Sequence, residues 1–360
     1  MSERPEKMAA VVCHGPRDYR LETIAVPEPG PGEALVRVEA VGVCASDLKC
    51  FHGATKFWGD GTRAGYVEAG VVPGHEFVGE IVELDDDAAQ RWGVAMGDRV
   101  VAEQIVPCGD CRFCRDGAYW MCEPHAIYGF KRRVNGAMAE YMVFTRQSRV
   151  HRVSAGLAAH HAAFAEPLSC ALHAVERARL TFGDFVVVAG CGPIGLGMIA
   201  GAVAKSAGRV VALDRNPARL DLARKTGATD VIDVSSVDPI ETVRSMTGGY
   251  GADVYFEATG HPSAVGQGLQ LLRKLGRYVE YSVFGAEASI DWTIVGDDKE
   301  LDILGAHLGP HCWPKAIELI EQDALPLDGI CSHQLPLARF EEAFELVASA
   351  DRSVKVTLLP

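Results

Sequence analysis

The spacing of hydrophobic residues divides the chain into two parts with different predicted structures. Before about residue 160, short apolar runs alternate with turns that contain glycine and proline. These runs predict strands at residues 8–12, 35–43, 76–84 and 99–103. In the second run Val36, Val38 and Ala40 alternate with more polar neighbours, a period of two that is typical of a half-buried strand. Short strands spaced this closely indicate a β-barrel or a β-sandwich.

From about residue 182 the pattern changes to strand, helix, strand. Residues 185–189 form a continuous apolar run, as expected for a strand buried on both faces. Further strands are predicted at residues 210–213, 231–234, 254–257 and 278–281, and helices at residues 196–207, 217–226 and 263–275. This alternation indicates an α/β domain with a parallel sheet. The tail after residue 305 has a predicted helix at 314–322 but no such alternation, so we expect it to rejoin the first domain.

Composition narrows the possible classes of protein. A length of 360 residues, 48% of them hydrophobic, predicts a globular protein of two domains. The sequence has no run of about 18 apolar residues and no signal-peptide pattern at its start, which favours a cytoplasmic protein without a membrane partner. The net charge of −13 argues against nucleic acid as a partner. Eleven cysteines cannot all pair, and clustered cysteines in the cytosol are more often metal ligands.

A glycine-rich motif directly follows the predicted strand at 185–189 and opens the next predicted helix. The motif consists of Gly190, Cys191, Gly192, Pro193, Ile194 and Gly195. In a dinucleotide site Gly190 permits the tight turn, Gly192 lets the backbone approach a pyrophosphate, and Gly195 allows close packing of helix and strand. The helix N-terminus then offers free N–H groups to the phosphates. The alternative is an ordinary strand–helix turn.

Asp214 ends the next predicted strand, where a ribose-binding acid is expected. Its carboxylate would accept hydrogen bonds from the ribose hydroxyls and repel a 2′-phosphate, which favours NAD over NADP. Arg215 is adjacent and weakens this preference, and Arg219 is also assigned to the cofactor site. Residues after the later strands are expected to line the nicotinamide side, with ordinary loop residues as the alternative. These are Thr259, Gly260, Ser282, Val283 and Phe284.

Four cysteines form a cluster with the spacing C-x2-C-x2-C-x7-C. They are Cys108, Cys111, Cys114 and Cys122. Four thiolates can close a tetrahedral zinc shell with no open position, which predicts a structural zinc site. An iron–sulfur cluster would have a shorter last spacing and a following proline, whereas Glu123 follows here. Unligated thiols are the third alternative.

A second group of possible ligands is scattered along the first half of the chain. Cys44, His75 and Glu166, with a water, would make an open zinc site of the catalytic kind. Spacing alone does not show that these segments meet. Considered singly, Cys44 could be a small buried hydrophobe and His75 a core histidine.

The sequence resembles the zinc-dependent medium-chain alcohol dehydrogenases over nearly its whole length. Four features in the family's order carry the resemblance: Cys44, residues 74–76, the four-cysteine loop and the glycine motif. Residues 166–169, Glu-Pro-Leu-Ser, together with His173 resemble the polyol (sorbitol-type) and threonine dehydrogenases of the family. In those enzymes a glutamate takes the place of a second zinc cysteine.

The resemblance implies a ligand set and an architecture. Cys44, His75 and Glu166 would bind a catalytic zinc, and Glu76 lies at this zinc and can ligate it during turnover. A GroES-like β-domain with the structural zinc loop would span residues 1–163, a Rossmann NAD-binding domain would span 164–304, and residues 305–360 would complete the first domain. Two zinc ions per subunit and a homo-oligomer, a tetramer rather than a dimer, are implied as well.

The implied reaction is oxidation of a substrate hydroxyl by NAD. Zinc lowers the pKa of the hydroxyl, and Ser46 is the expected first carrier of its proton, although a turn-stabilising role is the alternative. Many relatives have a histidine three residues after this position to relay the proton. Here Lys49 occupies that position, with His52 further on, and a water chain is the substitute.

The substrate is expected to be a small polyol. The segment between Cys44 and His75 is longer than in sorbitol dehydrogenases, and their Arg-Tyr pair is replaced by Leu308 and Gly309. Residues 54–59 resemble the erythritol/L-threitol dehydrogenases, which oxidise a four-carbon polyol to a ketose. Aromatic and basic residues are added near the expected pocket, or else belong to the core or a subunit interface. They are Phe57, Trp58, Arg63 and Tyr66. Threonine or a simple secondary alcohol is the alternative substrate, and a non-catalytic NAD- and zinc-binding protein is the alternative class.

Overall fold

The computed structural model describes residues 4–349 and 351–360. Within these ranges the strands are β1 Lys7–Gly15, β2 Asp18–Ala25, β3 Ala34–Val43, β4 Glu76–Leu84, β5 Arg99–Ala102, β6 Ile105–Val106, β7 Ala126–Ile127, β8 Tyr141–Phe144, β9 Val150–Arg152, β10 Phe185–Ala189, β11 Arg209–Asp214, β12 Asp230–Asp233, β13 Ala252–Glu257, β14 Leu272–Glu280, β15 Asp302–Gly305, β16 His333–Pro336 and β17 Val356–Leu359.

The helices of the same ranges are α1 Ala45–Phe51, α2 Thr55–Trp58, α3 Asp86–Trp92, α4 Arg112–Arg115, α5 Ala159–Ala162, α6 Ala165–Arg177, α7 Pro193–Ala204, α8 Pro217–Thr226, α9 Pro239–Met246, α10 Pro262–Leu271, α11 Trp313–Glu321, α12 Leu327–Ile330 and α13 Phe340–Ala348. In this described part of the chain, no helix has the length and apolar character needed to cross a membrane.

The chain folds into two compact units. Unit 1 consists of Met1–Glu166, Trp313–Glu321 and Cys331–Pro360, and unit 2 consists of Pro167–Cys312 and Gln322–Ile330. The chain therefore returns to unit 1 in two segments, because the stretch between them packs with unit 2. The sequence pattern had predicted one continuous return segment from residue 305.

Unit 1 is built on a seven-stranded sheet with the order β16-β17-β3-β4-β5-β9, to which β8 adds by pairing with β3. Its pairs are antiparallel except for β16 and β17. The register places Gly42 of β3 opposite Glu76 of β4, and Val43 opposite Val356 of β17. This sheet therefore brings the chain's C-terminal strand beside the segments that carry Cys44 and His75.

Unit 2 is a six-stranded sheet with the order β12-β11-β10-β13-β14-β15, and all its pairs are parallel. The predicted α/β class is confirmed, since a β-domain is followed by a doubly wound parallel sheet. The helix predicted at 263–275 ends earlier, at Leu271, because Leu272 already pairs with Ala252 as the start of β14. The helix α6 was not predicted, and nearly all of its positions are buried.

Candidate active site

Three of the predicted metal ligands converge in unit 1. Cys44 lies between β3 and α1, His75 directly precedes β4, and Glu76 begins it. One ligand atom from each of these residues lies within 4.8 Å of the other two. His75 and Glu76 are buried, whereas Cys44 is half-buried. A thiolate, an imidazole and a carboxylate at this spacing fit a zinc ion.

Asp47 supports two of these ligands and was not found from the sequence. Its Oδ2 accepts a hydrogen bond from the backbone N–H of Cys44 at 2.9 Å, and its Oδ1 lies 3.4 Å from His75 Nδ1. Burial lowers the pKa of His75, but the charge of Asp47 and then that of Cys44 outweigh it and hold the pKa well above its usual value. A carboxylate on one ring nitrogen of a metal-binding histidine fixes the tautomer and leaves the other nitrogen for the metal. The Asp47 contact therefore favours His75 Nε2 as the ligand atom.

Ser46 lies beside the imidazole of His75. Its Oγ is 3.5 Å from His75 Nε2, the nitrogen that faces away from Asp47. A hydroxyl in this position is within reach of a substrate hydroxyl bound at the same centre, as a first proton carrier must be.

A buried lysine pairs with Glu76 on its other side. The Lys355 ammonium forms an ion pair with Glu76 Oε2 and donates a hydrogen bond to the Val43 carbonyl at 3.0 Å. Burial lowers the pKa of Lys355, but the charges of Glu76 and Cys44 outweigh this effect and raise it. Gly42 makes room for the pair, since a Cβ there would lie 2.2 Å from Glu76 Oε2. No sequence motif near Lys355 indicated this contact.

Glu166 is buried in unit 1 but is not part of the 4.8 Å ligand group. Its Oε1 accepts a hydrogen bond from Gln104 Nε2. Its negative charge also contributes to raising the pKa of Lys355. Glu166 therefore belongs to the same charged neighbourhood, and its predicted role as a zinc ligand stays a prediction.

The four cysteines of the loop converge as well, with all four Sγ atoms within 4.8 Å of one another. Backbone N–H groups point at these sulfurs: those of Cys111 and Cys108 donate to Cys108 Sγ and Cys122 Sγ at 3.3 and 3.2 Å. The N–H groups of Glu123 and Cys114 lower the pKa of Cys111 to about 6. Four thiols gathered in this way, with backbone N–H groups directed at their sulfurs, fit a structural zinc ion.

The glycine motif forms the turn between β10 and α7 in unit 2. Gly190 has a φ of +91°, and a Cβ on Gly195 would lie 1.8 Å from the Gly190 carbonyl oxygen, so neither position accepts another residue. Pro193 and Ile194 begin α7, whose N-cap is Gly192. The turn thus has the close backbone approach that a pyrophosphate requires.

Asp214 is fixed at the end of β11 beside this turn. Its Oδ2 accepts from the Cys191 N–H at 2.8 Å, and its Oδ1 accepts from the N–H groups of Arg215 and Asn216 at 2.7 and 2.9 Å. A carboxylate offers about four lone-pair sites, so it can still accept from ribose hydroxyls. The Arg219 guanidinium lies beside Gly192, at 3.9 Å from a Cβ built there, and the Arg215 side chain is exposed.

The residues expected at the nicotinamide side meet at the ends of β13 and β14. Glu257 is fully buried and accepts from the N–H groups of Thr259 and Gly260 at 2.8 and 3.1 Å. Ser282 Oγ donates to the Glu257 carbonyl at 3.3 Å, and Gly260 approaches the Val283 carbonyl. Phe284 follows and is half-buried.

A second acid was missed by the sequence analysis. Glu280 pairs in register with Glu257, and burial together with the Glu257 charge raises the pKa of Glu280 to about 7. The available signal was that Glu257 ends the predicted strand at 254–257 and Glu280 is the next-to-last residue of the predicted strand at 278–281.

The added aromatic residues belong mainly to the core of unit 1. Phe57 is buried and stacks on Phe130 with ring centroids 5.5 Å apart, and Trp58 Nε1 donates to the Cys50 carbonyl at 2.7 Å. The ring that contacts His75 is Phe130, with centroids 5.4 Å apart. The expectation that Phe57 and Trp58 line the pocket is therefore replaced by the core alternative. Phe130 is the aromatic residue at the metal group, the name used below for Cys44, His75 and Glu76.

Comparison with known proteins agrees with this geometry. Residues 30–155 match the alcohol dehydrogenase GroES-like domain, and residues 193–322 match the zinc-binding dehydrogenase domain. A solved structure described as a zinc-binding dehydrogenase of Sinorhizobium meliloti bound to NADP superposes with a TM-score of 0.87 at 28% identity, covering 99% of this chain and 100% of that one. A sorbitol dehydrogenase from Halalkalibacterium halodurans is 34% identical, with 96% of this chain and 97% of the relative aligned.

The chain belongs to the zinc-binding alcohol dehydrogenase family, and it is an oxidoreductase that acts on a CH–OH group. Within the family, an erythritol/L-threitol dehydrogenase from Mycolicibacterium smegmatis is 66% identical over 99% of this chain and 98% of its own length.

Proposed function

We propose that this protein oxidises a secondary hydroxyl of a small polyol to a ketose with NAD, and that a four-carbon polyol such as erythritol or threitol is its substrate. The observation that supports this most is the convergence of Cys44, His75 and Glu76 on one point, in a chain 66% identical to an erythritol/L-threitol dehydrogenase. A zinc ion held there would act as a Lewis acid that lowers the pKa of the substrate hydroxyl.

The side chains around the metal group then have separate tasks. Asp47 holds His75 in the tautomer that leaves Nε2 for the metal. Ser46 takes the hydroxyl proton, and Lys49, His52 or a water chain passes it outward. Lys355 would hold Glu76 in place and compensate its charge. Glu166 supplies the further carboxylate.

A substrate panel tests the proposal directly. Polyols of three to six carbons, threonine and 2-alkanols are incubated with the enzyme and NAD, and NADH formation is measured. We expect the highest kcat/KM for erythritol or a threitol isomer. A preference for threonine would change the proposed substrate but not the proposed type of reaction. Metal analysis separates the non-catalytic alternative, because an enzyme of this kind binds a catalytic and a structural zinc, and a scaffold only the structural one.

The cofactor preference depends on Asp214. Replacing Asp214 with Ala should lower the NAD/NADP ratio of kcat/KM at least about tenfold, or about 1.4 kcal/mol. The loss of hydrogen bonds to the ribose weakens NAD binding, and the loss of the negative charge removes repulsion of a 2′-phosphate.

Asp233→Ala is the matched control, because Asp233 ends the neighbouring strand β12 and accepts a hydrogen bond from the Ser235 N–H. It should leave the ratio unchanged. A wild type that already prefers NADP, or an Asp214→Ala variant with the wild-type ratio, would show that Asp214 does not hold the ribose.

The four-cysteine loop should contribute to stability rather than to chemistry. Replacing Cys111 with Ser removes one thiolate from the cluster, so the thermal midpoint should fall by several degrees, since a structural zinc contributes binding free energy to folding. Differential scanning calorimetry measures this. An unchanged midpoint in a zinc-loaded sample would contradict the structural role.

We also propose a cytoplasmic homo-oligomer, with a tetramer favoured. The support is the strand β15 at the edge of the parallel sheet of unit 2, where Ile303 is 42% exposed. An edge strand with apolar side chains offers unpaired backbone groups to a second copy. Size-exclusion chromatography coupled to light scattering measures the molar mass and therefore the number of subunits.

A further inference from the structure

Gln104 lies in the buried interior of unit 1 and contacts the carboxylate of Glu166. The side chain of Gln104 is 2% exposed and that of Glu166 is 6% exposed. Gln104 Nε2 donates a hydrogen bond to Glu166 Oε1. A hydrogen bond from an amide to a buried carboxylate is charge-assisted, and it directs one of the two oxygens.

We propose that Gln104 is a positioning residue that fixes the Glu166 carboxylate for metal binding, and that it is itself held by the four-cysteine loop. This inference rests on the proposed function, because it assumes a zinc ion near Cys44 and His75. It adds a residue that no ligand motif contains.

The backbone of Gln104 is fixed on both sides. Gln104 lies between β5 and β6, and its carbonyl accepts from the Tyr128 N–H at 2.9 Å. The preceding residue, Glu103, donates its N–H to the Arg149 carbonyl at 2.9 Å. The position of the amide group is therefore set by the sheet rather than by a free loop.

The side chain of Glu103 connects this segment to the four-cysteine loop. Tyr119 lies in that loop between Cys114 and Cys122, and its hydroxyl donates to Glu103 Oε2 at 2.9 Å. Arg149 Nε donates to the other oxygen of Glu103 at 3.0 Å. Because Glu103 and Gln104 are neighbours, the order of the loop is transmitted to the residue that holds Glu166.

A neutral donor suits this position better than a charged one. The charge of Glu166 acts on Lys355, whose ammonium is paired with Glu76. A Glu166 carboxylate without a directing donor would be drawn to that ammonium, which competes with the metal for it. The Gln104 amide holds Oε1 without adding a charge, so the donor does not itself compete with a metal ion for the carboxylate.

The test compares three variants of the full-length zinc-loaded enzyme. Gln104→Met keeps the volume and removes the donor, Gln104→Glu adds a negative charge beside Glu166, and Gln147→Ala is a control at an exposed glutamine. Release of zinc to a chromogenic chelator is recorded at increasing chelator concentration, together with the thermal midpoint and the steady-state kinetics.

We expect Gln104→Met to weaken binding of the catalytic zinc about 10- to 100-fold, the usual effect of losing a partner of a metal ligand. The structural zinc should be retained. Gln104→Glu should weaken binding further, and kcat should fall more than KM rises in both variants. Gln147→Ala should match the wild type. Equal zinc affinity in Gln104→Met and the wild type would overturn the inference, while the proposed function would stand.

Tyr119→Phe tests the connection to the loop. It should weaken the catalytic zinc less than Gln104→Met does, while the four thiolates still hold the structural zinc. Unchanged catalytic zinc affinity in Tyr119→Phe would overturn this second step. A wild type that releases only one zinc under all conditions would instead refute the proposed catalytic site itself, so the two failures are distinguishable.

Discussion

Replacing Cys44 with Ala should reduce kcat/KM about a thousandfold or more, while the protein stays folded. A zinc ion held by Cys44 and His75 would stabilise the developing charge by several kcal/mol, and about 1.4 kcal/mol corresponds to a factor of ten in rate. Cys44 is half-buried at the start of α1, and its removal leaves the sheet of unit 1 intact. His75→Ala should have the same effect. Activity, zinc content and circular dichroism are measured on the same preparations.

Cys50→Ala is the matched control on the same helix. Cys50 is buried, and burial raises the pKa of its thiol to about 12 although the hydrogen bond with Tyr19 lowers it, so Cys50 is an inert core residue. This variant should lose about 1 kcal/mol of stability and keep its zinc and its activity. Substantial turnover by a Cys44→Ala enzyme that has lost its catalytic zinc would show that the metal site is misassigned.

The parts of the site that are local in sequence could be predicted. The glycine motif contains its whole turn within residues 190–195, and the four cysteines are close enough that the loop brings them together without help from the rest of the fold. The two-domain class followed from the change in hydrophobic period near residue 160. These features arise from residues that lie close together in the sequence, so they can be recognised without knowledge of the tertiary structure.

The parts that depend on tertiary contacts could not be predicted. Lys355 reaches Glu76 because β17 pairs with β3 and β3 pairs with β4, and no local pattern encodes that register. Gln104 meets Glu166 across unit 1 for the same reason. Phe57 had been expected at the pocket, but burial placed it in the core, because an exposed and a buried aromatic residue look alike in a short irregular segment.

Family resemblance supplied what local pattern could not. It predicted that Cys44 and His75 bind the same metal ion. In the structure their ligand atoms and that of Glu76 lie within 4.8 Å of one another. It did not supply Asp47 or Lys355, which fix the orientation and the charge of those ligands. The groups that tune a metal site were therefore visible only in the folded chain.

Replacing Lys355 with Met should be the most destabilising single change considered for this site. Removing one partner of a buried ion pair leaves the other charge uncompensated, at a cost of about 3–5 kcal/mol. Lys355 and Glu76 are both almost fully buried, so solvent cannot compensate Glu76. The loss should be larger in zinc-free protein than in zinc-loaded protein, because a bound cation partly neutralises the same carboxylate. Urea denaturation with and without a chelator measures both quantities.

Two further variants make the result specific to the ion pair. Lys315→Met removes an exposed lysine that is paired with Glu318, and such a surface pair contributes at most about 1 kcal/mol. Adding Glu76→Gln to Lys355→Met removes the uncompensated charge, so the double variant should recover much of the lost stability although it stays impaired in turnover. If Lys355→Met unfolds at the same urea concentration as Lys315→Met, or if Glu76→Gln brings no recovery, then Lys355 does not balance the charge of Glu76 in the folded protein.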